Sequence, residues 1–176
     1  MHASTVLIAD AVVVAGLAAV FGHRLIKNYH RKVETPNAYM IKNVKSGLVI
    51  RPKDAGIADG VPIIQYTPQN WECTTWQMIK INEETYLLKD LYTQKSFAPV
   101  GEPVAGSRLA QRPIGGDKQQ RWQFNRQDDG TYTIQLAGSD LYITSTSSTV
   151  DDRLILQPAS DDADQRWTLT QQHPII

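Results

Sequence analysis

The sequence has few of the residues on which most protein chemistry depends. It holds one cysteine, Cys73, which excludes an internal disulfide framework and a cysteine-rich metal site. Its four histidines lie in the first 30 residues and at position 173, so the middle of the chain has no histidine for catalysis or metal binding. The formal net charge is zero, and a chain without a positive field is not expected to gather nucleic acid. We therefore predict no metal, no cofactor and no nucleic-acid partner.

The composition fits a globular protein of ordinary size. Hydrophobic residues make up 41% of the chain and charged residues 20%, which separates it from disordered sequences. A length of 176 residues is enough for one domain and an appendage, and too little for two full domains.

The N-terminal part is far more apolar than this average. Between residues 6 and 21 every residue except Asp10 and Gly16 is apolar. A helix from Ser4 to Lys27 would be about 36 Å long, enough to cross the hydrocarbon core of a membrane. We predict a single transmembrane helix. A buried core helix and a cleaved signal peptide are the alternatives, and the lack of a basic residue before the apolar run speaks against cleavage.

The charges beside this segment predict its orientation. No lysine or arginine precedes the apolar run, whereas basic residues that can meet lipid headgroups follow it: Arg24, Lys27, Arg31 and Lys32. Positive residues tend to remain on the cytoplasmic side. The pattern predicts a single-pass protein of the inner membrane, with its N-terminus outside and its C-terminal part in the cytoplasm.

The same segment carries small residues at helical spacing. Ala11, Ala15 and Ala19 recur every four residues, an arrangement that lets two membrane helices approach closely. Pro36 ends the basic linker, because the residue before a proline is driven away from helical conformation. The predicted division is a transmembrane helix with its linker at 1–35 and a second domain at 36–176.

The second domain contains an internal repeat. Each copy starts with a tyrosine and a short alternating strand, then has a glutamine, and about ten residues later a tryptophan. The three sets are Tyr39, Gln65 and Trp76; Tyr86, Gln111 and Trp122; Tyr132, Gln157 and Trp167. One such unit cannot bury its apolar face, but three around an axis can. The spacing predicts an all-β fold, a β-trefoil of three repeats of about 46 residues.

The repeat carries a motif that identifies a family. Gln-x-Trp occurs at Gln120–Trp122 and Gln165–Trp167, and a degenerate copy at Thr74–Trp76. With the stretch NVKSGLVI at 43–50, these residues resemble the ricin-type β-trefoil lectins, in a bacterial form, over about residues 37–171. The resemblance implies carbohydrate binding, and it implies that the motif's tryptophans and glutamines are structural residues.

At the implied sugar sites the sequence departs from the family. An aspartate that accepts sugar hydroxyls is replaced in all three repeats, by Arg51, Ala98 and Thr144. The ring that stacks on the sugar is kept only in the first repeat, as Tyr66. Because sugar binding needs hydrogen-bond acceptors beside an aromatic face, the loop carboxylates of Asp54 and Asp59 are the candidates to complete this site.

These features lead to two functional hypotheses. The hydroxyl-rich run at 145–149 has no histidine or lysine base placed near it, and we predict that the chain is not an enzyme. The main hypothesis is an accessory or scaffolding subunit that docks on a larger membrane protein complex, whether energy-transducing, photosynthetic, secretory or transporting. The alternative is a membrane-tethered lectin.

Overall fold

A computed structural model describes residues 37–174 of the chain. Several predicted features lie outside the described residues: the transmembrane helix over Ser4–Lys27, its small face at Ala11, Ala15 and Ala19, and the basic residues Arg24, Lys27, Arg31 and Lys32. Within the described part of the chain, no helix has the length and apolar character needed to cross a membrane.

Residues 37–174 form twelve β-strands joined by turns and short 3-10 segments. The strands are β1 (Ala38–Asn43), β2 (Val49–Pro52), β3 (Ile63–Tyr66), β4 (Trp76–Lys80), β5 (Thr85–Asp90), β6 (Ser96–Pro99), β7 (Leu109–Arg112), β8 (Arg121–Arg126), β9 (Tyr132–Leu136), β10 (Leu141–Thr144), β11 (Ile155–Pro158) and β12 (Trp167–Gln171). Each repeat contributes four of them. The 3-10 segments include Lys53–Ala55 in the first hairpin loop and, before the tryptophan strands, Glu72–Thr74, Lys118–Gln120 and Ala163–Gln165.

Six of the strands close into a barrel. Strand β1 pairs with β4 and β12, β5 pairs with β4 and β8, and β9 pairs with β8 and β12, all antiparallel. The register repeats three times, because Tyr39 faces Trp76, Tyr86 faces Trp122 and Tyr132 faces Trp167. The predicted all-β trefoil with three repeats is therefore confirmed.

The other six strands form three hairpins, each of which contacts the next repeat. They are β2–β3, β6–β7 and β10–β11. The loop of the first hairpin reaches the second repeat, where the Gly60 N–H donates to the Gln111 carbonyl at 2.8 Å. In the second hairpin, the Gly106 N–H donates to the Leu156 carbonyl of the third repeat at 2.7 Å. Both glycines have a left-handed backbone, with φ of 81° and 86°, which a residue without Cβ adopts easily.

The core lies on the threefold axis and is built from the inward-facing residues of the strands. In β8 the alternation is clear, since Trp122 and Phe124 are buried whereas Gln123 is half-exposed. The Trp76 indole N–H donates to the Ile50 carbonyl at 2.9 Å. The same bond recurs in the third repeat at 3.2 Å, but the Trp122 indole N–H finds no partner among the described residues.

Candidate functional site

The glutamines of the Gln-x-Trp motif bind backbone groups. Gln120 donates to the Pro113 carbonyl at 2.7 Å and accepts from the Gly115 N–H at 3.0 Å. Gln165 donates to the Pro158 carbonyl at 2.8 Å and accepts from the Ser160 N–H at 2.8 Å. Each side chain thus fixes the segment that follows a hairpin, and its amide is occupied within the fold.

In the first repeat, Arg51 lies against the predicted stacking residue. Its guanidinium carbon is 4.3 Å from the centroid of the Tyr66 ring, which is a cation–π contact. The hairpin register explains the contact, because Arg51 pairs with Ile64 and so lies diagonally from Tyr66 across the two strands. The arginine is only 6% exposed, and its Nε donates to the Pro52 carbonyl at 3.1 Å. One face of Tyr66 is therefore covered by a fixed cation.

A second aromatic ring, Trp71, extends this surface. Its centroid lies 6.4 Å from that of Tyr66, with an angle of 34° between the ring planes, and both residues are half-buried. The Trp71 carbonyl accepts from the hydroxyls of Thr74 at 3.0 Å and Thr75 at 2.7 Å, which fixes the backbone that carries the ring. The first repeat thus presents two neighbouring aromatic rings, with the buried Arg51 against one of them.

Asp54 and Asp59 lie away from this surface. The hairpin ladder starts at the Val49–Tyr66 pair, and both aspartates belong to the loop beyond its far end. That loop contacts the second repeat, and the Asp59 carboxylate is paired with Lys95. The structure therefore brings neither carboxylate to Tyr66, and Asp54 and Asp59 do not complete a site around that ring.

The corresponding positions of the second and third repeats lack both an exposed ring and a carboxylate. Ala98 is 3% exposed, and Arg112 turns back to donate to the Gln111 carbonyl at 3.3 Å. Thr144 is buried, and its hydroxyl donates to the Tyr142 carbonyl at 3.0 Å and accepts from Gln165 at 3.0 Å. These two positions are filled by groups that the fold itself uses.

Two titratable groups lie behind the first-repeat surface. Burial raises the pKa of the Cys73 thiol, and the nearby charge of Arg51 opposes that shift. Burial also raises the pKa of Asp90 to about 7, against the hydrogen bonds from Thr93 and Tyr92 that favour its carboxylate. Because its pKa is raised, the Cys73 thiol does not add a thiolate to this surface. Within residues 37–174, no group of three or more histidine, cysteine, aspartate or glutamate side chains could hold a metal ion.

Sequence reasoning missed Trp71, although the sequence contains a signal for it. It lies five residues before Trp76, and the matching positions of the other repeats are Asp117 and Asp162. The motif tryptophans that the core requires recur in all three repeats, whereas Trp71 occurs in one. A large aromatic that breaks the threefold pattern points to a local role.

The chain belongs to the family described as ricin-type beta-trefoil lectin domain-like. That family matches residues 28–98, 97–157 and 118–174, which together span most of the sequence. The earlier resemblance is thus confirmed for the domain that the structure describes. No curated protein sequence matches the chain.

Solved structures share the fold at low sequence identity. The designed threefold-symmetric protein ThreeFoil has a TM-score of 0.73 and 20% identity, over 76% of this chain and 98% of its own. The ricin B-like lectin of Macrolepiota procera, solved with lactose, has a TM-score of 0.65 and 19% identity, over 76% and 94%. The C-half of an earthworm R-type lectin, solved with GalNAc, has a TM-score of 0.64 and 13% identity, over 78% and 100%.

Proposed function

We propose that the protein is a non-catalytic carbohydrate-binding module with a surface site in its first repeat. The observation that carries the proposal is the pair of half-buried rings, Tyr66 and Trp71, held beside the guanidinium of Arg51 where this family places its sugar site. Membership of a lectin-like family supports it, as does the fold shared with lectins solved with lactose and GalNAc.

The chemistry of this site differs from that of a carboxylate site. An aspartate accepts hydrogen bonds from sugar hydroxyls, whereas a guanidinium only donates them. The apolar face of the sugar would rest on the exposed parts of Tyr66 and Trp71, while an acceptor oxygen would meet the small part of Arg51 that is exposed, since that residue is only 6% exposed. This arrangement favours hydroxyl, ring or acidic oxygens directed toward the arginine.

A glycan array with the full chain, in a detergent without a sugar headgroup, tests the proposal. We expect binding that falls about tenfold in Tyr66→Ala and in Trp71→Ala. Tyr142→Ala, which removes a half-buried tyrosine from the third repeat, is the matched control and should bind normally. An array without any bound glycan would overturn the proposed surface site.

A docking role is the second candidate. It is supported by the closed positions of the other repeats, where Ala98 is buried and Thr144 is bonded to Gln165. Large apolar side chains also project from two hairpin loops, because Ile57 is 66% exposed and Val104 is 60% exposed. A subunit of a larger membrane complex is the partner that these residues would meet.

Purification of the full chain from membranes tests this second candidate. A docking subunit should keep a partner at fixed stoichiometry through size exclusion, and Ile57→Asp with Val104→Asp should release it. Ile81→Asp changes an apolar residue of similar type in the turn between β4 and β5, and should leave the partner bound. Elution of the chain alone would remove the docking role.

The membrane anchor enters the proposal from the sequence. We infer a helix over Ser4–Lys27 in the inner membrane, with Ala11, Ala15 and Ala19 against neighbouring helices and the basic linker near lipid headgroups. Protease treatment of sealed, right-side-out vesicles should then leave the C-terminal domain intact. If the external protease instead digests the C-terminal domain, that domain faces outward. This result would contradict the predicted topology and favour an outward-facing lectin.

A further inference from the structure

A cavity of about 1030 Å³ lies at one end of the barrel. It is lined by tyrosines at or next to the start of β1, β5 and β9 and by residues of β4, β8 and β12. The hairpins connect the other ends of these strands, so this axial cavity opens away from the hairpins and from Tyr66. Its volume is near the upper end of the range for small-molecule sites, roughly 300 to 1,000 Å³.

All three repeats supply the inner wall of the axial cavity. Each contributes the tyrosine near the start of its first strand and the apolar residue two positions after its tryptophan: Tyr39, Tyr86, Tyr132, Met78, Phe124 and Leu169. The Phe124 ring meets Tyr86 edge-on at 5.6 Å and Tyr132 at 6.2 Å. The three tyrosines are half-buried, so each keeps surface that a ligand can contact.

Charged side chains of both signs stand among the lining residues. Glu83 and Glu84 offer carboxylate acceptors, while Lys80 and Arg126 offer donors, and all four are exposed. Their charges cancel, which suits a ligand that carries many hydroxyls and no net charge. Hydroxyls both donate and accept, so they can use each of these groups.

We propose that the axial cavity is a second carbohydrate site, for a neutral oligosaccharide. It combines an aromatic wall with carboxylate acceptors, the pairing that none of the three repeat sites has. The inference rests on the proposed carbohydrate-binding function, but it uses none of the residues of the surface site. The two sites can therefore be separated by mutation.

The methionines provide a reporter inside the cavity. Met78 lines it, whereas Met40 lies on β1 outside the lining, so the two methyl groups form a matched pair. We would label the methionine methyls of the full chain with ¹³C and titrate lactose and then maltotriose, in a detergent without a sugar headgroup. We expect a saturable shift of the Met78 signal and no shift of the Met40 signal.

Three variants locate the binding. The Met78 shift should persist in Tyr66→Ala, and Leu169→Trp, which places a larger, aromatic side chain among the lining residues, should weaken it. Because Leu169→Trp could disturb the fold, a further variant carries the double substitution Glu83→Gln with Glu84→Gln at two exposed residues. It should weaken binding about tenfold, because each amide replaces a charged acceptor.

The outcomes separate the two proposals. A saturable Met78 shift in a chain that binds no glycan through Tyr66 supports the cavity and overturns the surface site. Glycan binding that Tyr66→Ala abolishes, with an unmoved Met78 signal, overturns the cavity and leaves the surface site in place. No binding by either measurement overturns both.

Discussion

Replacing Asp90 with asparagine should stabilise the protein, and more so as the pH rises. Asp90 is the last residue of β5 and is fully buried, and one of its carboxylate oxygens accepts from the N–H groups of Tyr92 at 3.1 Å and Thr93 at 2.7 Å in the turn that follows. The other oxygen has no partner among the described residues. A buried charge with half of its acceptor capacity unused is costly, which is why burial raises the pKa of Asp90 to about 7.

The first repeat contains asparagine at the same place. The Asn43 side-chain oxygen accepts from the N–H groups of Lys45 and Ser46, and its amide donates to the Asp164 carbonyl at 2.9 Å and the Arg166 carbonyl at 3.2 Å.

The backbone around Asp90 follows the same pattern. The Leu91 N–H donates to the Thr75 carbonyl, just as the Val44 N–H donates to the Arg166 carbonyl. By this equivalence we expect the unpartnered oxygen of Asp90 to lie toward carbonyl oxygens. A protonated acid or an amide can donate there, whereas a carboxylate cannot.

The size and sign of the effect follow from the pKa. Between the ordinary value of 3.8 and the folded value of about 7, the folded protein keeps a proton that the unfolded chain has released. Stability therefore falls as the pH rises through this window, and the loss is complete above about pH 7. Three pKa units correspond to about 4 kcal/mol, which is an upper limit for the gain in Asp90→Asn at about pH 8. Near pH 4 the gain should shrink below about 1 kcal/mol.

Urea unfolding followed by tryptophan fluorescence measures this difference. The wild type and Asp90→Asn would be compared at about pH 4, 6 and 8, so that other titrating groups cancel between the two proteins. Asp90→Ala is the control, because it removes the charge and also the acceptor for Tyr92 and Thr93, and it should gain less at every pH. A difference between wild type and Asp90→Asn that does not change with pH would refute the reasoning.

Three further predictions concern buried polar groups. Trp76→Phe should cost about 1 kcal/mol more free energy of unfolding than Trp122→Phe, because only Trp76 loses an indole hydrogen bond; equal costs would contradict this. Gln65→Ala should lower the free energy of unfolding by about 2 to 3 kcal/mol, because the buried amide of Gln65 joins the first and third repeats. Gln157 is the half-buried equivalent in the third repeat, and Gln157→Ala should lower it by under about 1 kcal/mol in the same denaturation assay. Cys73 should react with iodoacetamide at least about tenfold more slowly in the native chain than in urea, because burial raises its pKa and shields it; similar rates would show that the thiol is accessible.

The fold was predictable from sequence because its residues are repeated. Tyr39, Tyr86 and Tyr132 mark equivalent strands, and a threefold core requires the same kind of residue at the same place in every repeat. The site was less predictable, since a contact such as that between Arg51 and Tyr66 depends on which residues lie diagonally across a hairpin. Spacing along the chain also suggested Asp59 as a partner of Tyr66, but the hairpin loop turns toward the second repeat.

The two proposed sites, the axial cavity and the surface site of the first repeat, differ in how substitutions affect them. A surface site lies within one repeat, so a single substitution can remove it at little cost to the fold. Ala98 and Thr144, which stand where the family has an aspartate, are examples. The residues that line the axis also complete the core, as Phe124 does, and they cannot be lost without loss of packing. Exposed charged residues beside the cavity, such as Glu83 and Glu84, can be substituted without loss of core packing. A chain whose repeat sites have diverged can therefore retain an aromatic binding surface on its axis, with specificity set by the turns around it.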